Sequence, residues 1–569
     1  MLMRDGMPLA ITPKAFDLLV VLVQNAGKLL DKDFLLQSIW PDTTVEENNL
    51  NQAITALRRV LGDAAGEPQS ILTVAGKGYR FALATRRSAA SPVAARVRIV
   101  VLPFENIGSD ASLQYLADGF TEETISALGQ VDPPHIAVVG RTTAMTYRHS
   151  TKTLAEIGRE LQASYLVESS LRTENGRFRC TSKLIDAADE LQVWSASFDS
   201  EPSSLLQFQR ELATVIAEQI RLQLSPARLD LLTRRQTRSP EAYRLYLQGR
   251  HLWNQLTAPT TRKAIELFQQ ATAIDPTYAL AWSGIADALS HSGIQADVPP
   301  MAIAARARDA AARALAAEPE LAEVQVSVGS VRFWLDWDWK GAERAYRAAA
   351  ALDPNYPMAH RMLAVVGFHC GREEEAAREI ARARELDPLY GMHQALSSQV
   401  AFHARRYEEA VRFARQAIVI DPNFWIARLF LAQALVELGQ MEEALESLAV
   451  AAQFGVVNSK VLALRGYILA KLGRAAEANE IVLTLNAIAA ERFVPPGALA
   501  WVYLGLGQTG FALQALEDGL RIRDVHLAFL PVDPKWDVLR GNARFQRILA
   551  HCAFEREEEP ELYRGLRAV

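Results

Sequence analysis

Residues 373–388 read EEEAAREIARARELDP, and 34 positions further on residues 407–422 read YEEAVRFARQAIVIDP. Ala376 and Ala410, Ala383 and Ala417, and Pro388 and Pro422 hold equivalent places in the two stretches. The same interval extends outward to Ala342, Ala444 and Ala478, to Ala349 and Ala451, and to Pro354. Gly371, Gly439 and Gly473 share the lattice, with Arg405 in place of one glycine. An earlier unit with Ala264, Phe268, Ala271 and Asp275-Pro276 has the same internal layout. Small residues let two helices cross closely, a glycine allows a tight turn between them, and a proline after aspartate ends the second helix.

A 34-residue period of paired helices resembles the tetratricopeptide repeat. The reading predicts seven to eight units over residues 240–534, with an insertion near Gln295 to Met301 and a capping segment over 535–569. Such arrays coil into a superhelix whose concave face suits a protein or peptide partner. They do not catalyse by default. Gly505-Leu506-Gly507-Gln508-Thr509-Gly510 spells a dinucleotide fingerprint, but it follows a helix and lacks the surrounding strand–helix–strand unit, so coincidence is expected. His369-Cys370 and the cluster Trp334, Trp337 and Trp339 are expected to pack between repeats, with a partner-binding groove as the alternative for the tryptophans.

At the other end of the chain, residues 1–85 read as a small α+β domain. Asp5-Gly6 marks a hairpin. Thr12-Pro13 opens a helix carrying Phe16, Leu18, Leu19, Leu22 and Val23, and Asp31 caps a second with Phe34, Leu35 and Ile39. A third helix, Glu46 to Leu61, repeats Leu50, Ala53, Ile54, Leu57, Val60 and Leu61 at helical spacing. Its other side carries Asn48, Asn51, Gln52, Thr55, Arg58 and Arg59. Asn and Gln suit bidentate contacts to adenine, and Arg suits guanine or phosphate, although an ordinary solvated face has the same pattern. Ile71 to Phe81 then reads as two strands around Gly76-Lys77-Gly78, a basic-tipped hairpin able to approach a phosphate backbone.

The runs Thr12–Leu19, Trp40-Pro41-Asp42, Val45–Leu50, Leu57–Asp63 and Gly76–Phe81 resemble the OmpR/PhoB-type winged helix-turn-helix, especially that of CadC/ToxR-like one-component regulators. The resemblance implies a third helix in the major groove of double-stranded DNA and a wing near the adjacent minor groove. It places Asn48, Thr55 and Arg58 at helix positions that commonly touch DNA, and Trp40 and Tyr79 at phosphate contacts. With Lys14, Asn51, Gln52, Arg59, Lys77 and Arg80 these form the candidate DNA-binding set. Ala75 stands where many family members have arginine, which implies either weak minor-groove reading or its transfer to Lys77. The family opens with a four-stranded sheet, of which about two strands are expected to be missing before Met1. A homodimer on tandem half-sites is a further implication of the family.

Residues 86–96 are small-residue rich and read as a linker. Residues 97–225 alternate apolar extended runs with helical ones and predict an α/β domain: strands at Val97–Phe104, Ile136–Val139, Ser164–Thr173, Arg177–Asp186 and Leu191–Phe198, and helices at Leu113–Leu128, Leu154–Leu161 and Ser204–Leu222. The segments Val101–Asn106, Tyr115–Glu123 and Leu184–Ala187 resemble the TolB N-terminal-like domain. Asp118-Gly119 and Arg141-Thr142-Thr143 are candidate ligand-loop residues, with a plain turn and an ion-paired arginine as the simpler expectation.

The 569 residues carry a net charge of −5, so DNA affinity must come from a local basic surface. The three cysteines, Cys180, Cys370 and Cys552, lack metal-site spacing, which argues for no structural zinc and a reducing compartment. Neither a signal peptide nor a membrane-spanning run is read, and a cytoplasmic location without membrane contact is expected. No catalytic set, cofactor or metal is expected. The sequence thus predicts a multidomain α+β and all-α chain, a one-component transcription regulator governed through its helical repeats. A protein-interaction scaffold whose winged helix is a docking module is the alternative. A nucleotide-using enzyme is disfavoured because no catalytic module accompanies the middle domain.

Overall fold

The computed structural model describes residues 3–4, 7–8, 13–39, 47–61, 63, 70–74, 76–83, 96–107, 113–174, 177–200, 211–212, 214–216, 218–219, 237–295, 298–454 and 458–553. It forms two compact units, residues 1–94 and 95–569.

In the first unit, β1 (Met3–Arg4) pairs with β2 (Met7–Pro8). Helices α1 (Pro13–Gln24), α2 (Lys32–Ile39) and α3 (Glu47–Leu61) pack against a sheet of β3 (Leu29–Asp31), β4 (Ile71–Val74) and β5 (Gly78–Phe81), in the order β3-β5-β4. Leu18, Leu22, Leu35, Ile39, Leu50, Ile54, Leu57 and Ile71 make one buried core, as their spacing predicts. Asp31 caps α2 by accepting from the Phe34 amide at 2.7 Å. Thr12, Trp40-Pro41-Asp42, Ala75 and linker residues 86–95 lie outside the described residues.

The second unit begins with a sheet in the order β11-β10-β9-β6-β8. Its strands are β6 (Val97–Val101), β7 (Glu105–Asn106), β8 (Ile136–Val138), β9 (Tyr165–Glu174), β10 (Arg177–Asp186) and β11 (Gln192–Ser200), with β7 pairing on β9. β6 runs parallel to β8 and β9, while β9, β10 and β11 are antiparallel. Period-2 alternation divides the residues of β6: Ile99 and Val101 face α4 (Gln114–Val131), and Val100 faces Ile157 and Leu161 of α6 (Leu154–Leu161). Thr153 closes a capping box with Glu156 at the start of α6. Two expectations are corrected. Asp118-Gly119 is not a turn but lies inside α4, where Asp118 is satisfied by Arg148 and by His251 at 2.9 Å. Arg141-Thr142-Thr143 is not a loop but opens the short helix α5 (Arg141–Met145). Most of the helix expected at Ser204–Leu222 falls outside the described residues.

Eight antiparallel helix pairs follow among the described residues: α7 (Pro240–Trp253) with α8 (Ala258–Ile274), α9 (Ala279–Gln295) with α10 (Pro300–Ala317), α11 (Ala322–Val331) with α12 (Trp339–Leu352), α13 (Pro357–His369) with α14 (Glu373–Leu386), α15 (Gly391–His403) with α16 (Tyr407–Ile420), α17 (Trp425–Glu437) with α18 (Met441–Ala451), α19 (Ser459–Lys471) with α20 (Ala475–Glu491), and α21 (Pro496–Gly505) with α22 (Thr509–Ile522). A final helix, α23 (Ala543–Cys552), caps the array. The lattice alanines Ala342, Ala376, Ala410, Ala444 and Ala478 are fully buried at the crossings. Arg405 adopts the left-handed turn conformation (φ 60°) that glycine supplies at Gly371, Gly439 and Gly473. Its guanidinium holds Asp537 of the C-terminal segment at 2.6 and 3.0 Å. The Gly505–Gly510 motif spans the end of α21 and the turn into α22, so it is a repeat turn and not a nucleotide loop. Trp337 and Trp339 are buried and stacked at 5.6 Å, and His369 is buried against the Ala528 carbonyl at 2.5 Å.

The α/β domain is fastened to this array by long-range hydrogen bonds. The Asn355 amide donates to the carbonyls of Gly129 and Ile136, both at 3.0 Å. Asp387 accepts from the Thr143 amide at 2.7 Å, and the Gly140 amide donates to the Leu386 carbonyl at 2.7 Å. Replacing Asn355 by Ala leaves two buried carbonyls unsatisfied, and a loss of about 1–3 kcal/mol is expected. Hydrogen exchange should then rise at residues 129–143 more than in α21 and α22; uniform exchange would show that this contact does not fasten the domain.

Candidate nucleic-acid interface

Helix α3 is held by its apolar side. Leu50, Ile54 and Leu57 are buried, whereas Asn51, Gln52 and Thr55 are exposed on the opposite side. Thr55 Oγ1 donates to the Asn51 carbonyl at 2.8 Å, which fixes its rotamer along the helix. The wing lies alongside. Lys77 and Arg80 are exposed, and Lys77 sits in the turn joining β4 to β5.

Two predicted site residues join these parts. Arg58 is half-buried and donates through Nε (3.0 Å) and Nη2 (2.6 Å) to the Ile71 carbonyl, and through Nη2 to Thr73 Oγ1 at 2.7 Å. Tyr79 is buried, and its hydroxyl donates to Asn51 Oδ1. The guanidinium fork and the phenol therefore tie the recognition helix to both strands of the wing. Asn51 has one amide oxygen committed to Tyr79, which orients its side chain on the exposed face. The side chains of Lys14, Asn48 and Arg59, and all of Trp40, lie outside the described residues.

Sequence reasoning missed Asp63, whose carboxylate accepts from the Ser70 amide (3.0 Å) and hydroxyl (2.7 Å), securing the end of α3 to the start of β4. Gly62-Asp63 behind the last apolar residue of the helix was the available signal. Gly78 has a reason other than approach to phosphate. At φ 144° a Cβ there would lie 2.0 Å from the Leu30 carbonyl oxygen, so glycine is required for β3 to pair with β5.

Arg58→Ala should destabilise the wing by about 1–3 kcal/mol, because it uncovers the Ile71 carbonyl and Thr73. Amide exchange in β4 and β5 should accelerate, with Arg58→Lys restoring part of the protection. Unchanged exchange in Arg58→Ala would exclude the clamp.

Residues 6–81 match the family described as "Transcriptional regulatory protein, C terminal", and residues 401–466 match a tetratricopeptide repeat family. Among curated proteins, the chain is 25% identical over 293 residues to the transcriptional regulator HilA of Salmonella typhi, covering 50% of each chain. It is 37% identical over 79 residues to the transcriptional regulatory protein KdpE of Mycobacterium tuberculosis, covering 14% of this chain and 35% of that one. A protein named putative adenylate cyclase 3, from Rhizobium meliloti, is 28% identical over 191 residues, 34% of this chain and 32% of its own. The chain thus spans between about a third and half of the length of these relatives. Residues 6–81 are accordingly a transcriptional-regulator domain of the OmpR/PhoB winged-helix type, carried in one chain with tetratricopeptide repeats.

Proposed function

We propose that the chain is a cytoplasmic, non-enzymatic transcription regulator that binds double-stranded DNA through α3 and the β4–β5 wing and is controlled through its repeat-bearing unit. One observation carries this reading. Asn51, Gln52 and Thr55 form an exposed amide and hydroxyl face on a helix whose opposite side is buried, with the exposed Lys77 and Arg80 on the attached wing. Amide side chains on a rigid helix read base edges, while the wing cations hold phosphates. Arg58 and Tyr79 act in this scheme by positioning, and Lys14, Trp40, Asn48 and Arg59 are proposed as further contacts by the family resemblance. Among the described residues no helix is long and apolar enough to cross a membrane.

Control through the second unit takes a particular form. The first helices of successive pairs all line one cavity, together with α4 and residues Val525 to Lys535. The inner face of the array is therefore partly occupied by this chain's own elements, and a protein partner is assigned to the outer helices. Two copies on tandem half-sites complete the proposal.

Binding to DNA fragments from upstream of its own gene should weaken with salt. Lys77→Ala should lower affinity uniformly across sequences and reduce the salt slope by about 1. Gln52→Ala should instead relax preference at one base pair, by about 1–3 kcal/mol. Salt-independent binding, or none, would reject the reading in favour of a docking module.

A further inference from the structure

The inner face of the array and helix α4 enclose a cavity of about 600 Å³, within the range of organic-ligand sites. We propose that this cavity is a binding site for a small organic amine: a protonated nitrogen carried on an aromatic or apolar body. It stands independently of the DNA-binding reading.

The polar atoms of the cavity define the ligand. Ser283, Ser290 and His291 on α9 line it, the two serines buried and His291 half-buried, yet Ser283 Oγ, Ser290 Oγ and the buried His291 Nε2 have no hydrogen-bond partner. Glu323, on α11, accepts from Ser126 Oγ at 3.2 Å through Oε1, while its buried Oε2 has none. Buried polar groups are rarely left unsatisfied, and several on one cavity wall mark a place for a guest with complementary groups.

Charge decides the sign of that guest. Glu122 is answered by Arg250, Arg141 (3.2 Å) and the Asn254 amide (3.2 Å). Asp387 is answered by the backbone of Thr143, and Asp533 by Lys535 at 2.9 Å. Asp287, Glu323 and Asp353 line the same cavity, and among the described residues none is held in an ion pair; Asp353 accepts from the Asn355 backbone amide at 2.8 Å and Asp287 is hydrogen-bonded to Ser327. Burial raises the carboxyls of Asp287, to about 6, and Glu323, and outweighs the pull of the Arg250 guanidinium on both and of Ser327 and Arg361 on Asp287. Burial also lowers His291, to about 4, so the imidazole is neutral and able to accept. Trp253, Trp334, Tyr356 and Met358 supply the apolar wall. Such a wall beside carboxylates suits an ammonium on an aromatic or aliphatic stem. Arg361, which donates to Tyr390 Oη at 3.2 Å, and Lys460 also line the cavity, and they are the groups that an acidic ligand would use.

The test is calorimetric titration of the full chain with phenethylamine and tryptamine, against 3-phenylpropionate and indole-3-propionate. The proposal predicts that an amine binds with a dissociation constant tighter than about 10 mM, the floor for a ligand of this size, and that the acids bind at least tenfold more weakly. Asp287→Asn and Glu323→Gln preserve shape and remove a carboxylate whose charged form burial disfavours, so both should fold with an unchanged circular dichroism spectrum. Each should weaken the amine roughly 10- to 100-fold. Acids binding as tightly as amines, undiminished amine affinity in both variants, or no amine binding up to about 10 mM would overturn the proposal.

Discussion

An amphipathic helix can offer its polar side to a partner only if its other side, and the elements beside it, are held fast. In the N-terminal unit that constraint falls on Arg58 and Tyr79. One ties α3 to the start of β4, and the other ties it to β5. A guanidinium fork capping a buried carbonyl is worth more than a surface contact, because its loss leaves the Ile71 oxygen without water. The exposed amide face of α3 and the cationic wing are thereby one rigid surface, and rigidity is what makes a set of side chains able to discriminate.

The second unit uses a different device. Alanines at a fixed interval let helix pairs approach closely, and the pairs stack so that their first helices share an inner face. That face receives α4 of the α/β domain and the segment from Val525 to Lys535, so the array encloses its own chain. Phe529 packs on Phe368 at 5.0 Å and Arg405 grips Asp537, linking the C-terminal segment to the middle of the array. A change in the contents of the enclosed space would alter contacts of the α/β domain and several repeats together.

Local pattern made much of this legible. The 34-residue lattice marked the helix pairs, short continuous apolar runs marked β6 and β8, and the apolar stripe of α3 marked its buried side. The exposed placement of Asn51, Gln52 and Thr55 follows from the same periodicity. What sequence could not supply were partners distant in the chain. Arg58 reads as a surface cation until the Ile71 carbonyl, 13 residues on, is seen to take it. Asp118 reads as a turn residue because its cation and imidazole partners lie 30 and 133 positions away. The cavity wall combines α4 with helices as distant as that of Trp501, 382 positions (501 − 119) beyond Gly119, and no local motif encodes it.

The central claim is that the outward face of α3 meets DNA bases. A photo-crosslinker placed at Gln52 of the full chain, with a control at Asp33 on the exposed side of α2, tests it most directly. The account predicts crosslinks from position 52 to major-groove atoms of the bases, suppressed by salt, and few from position 33. Equal yields from both positions, or crosslinks from position 52 to protein alone, would contradict it.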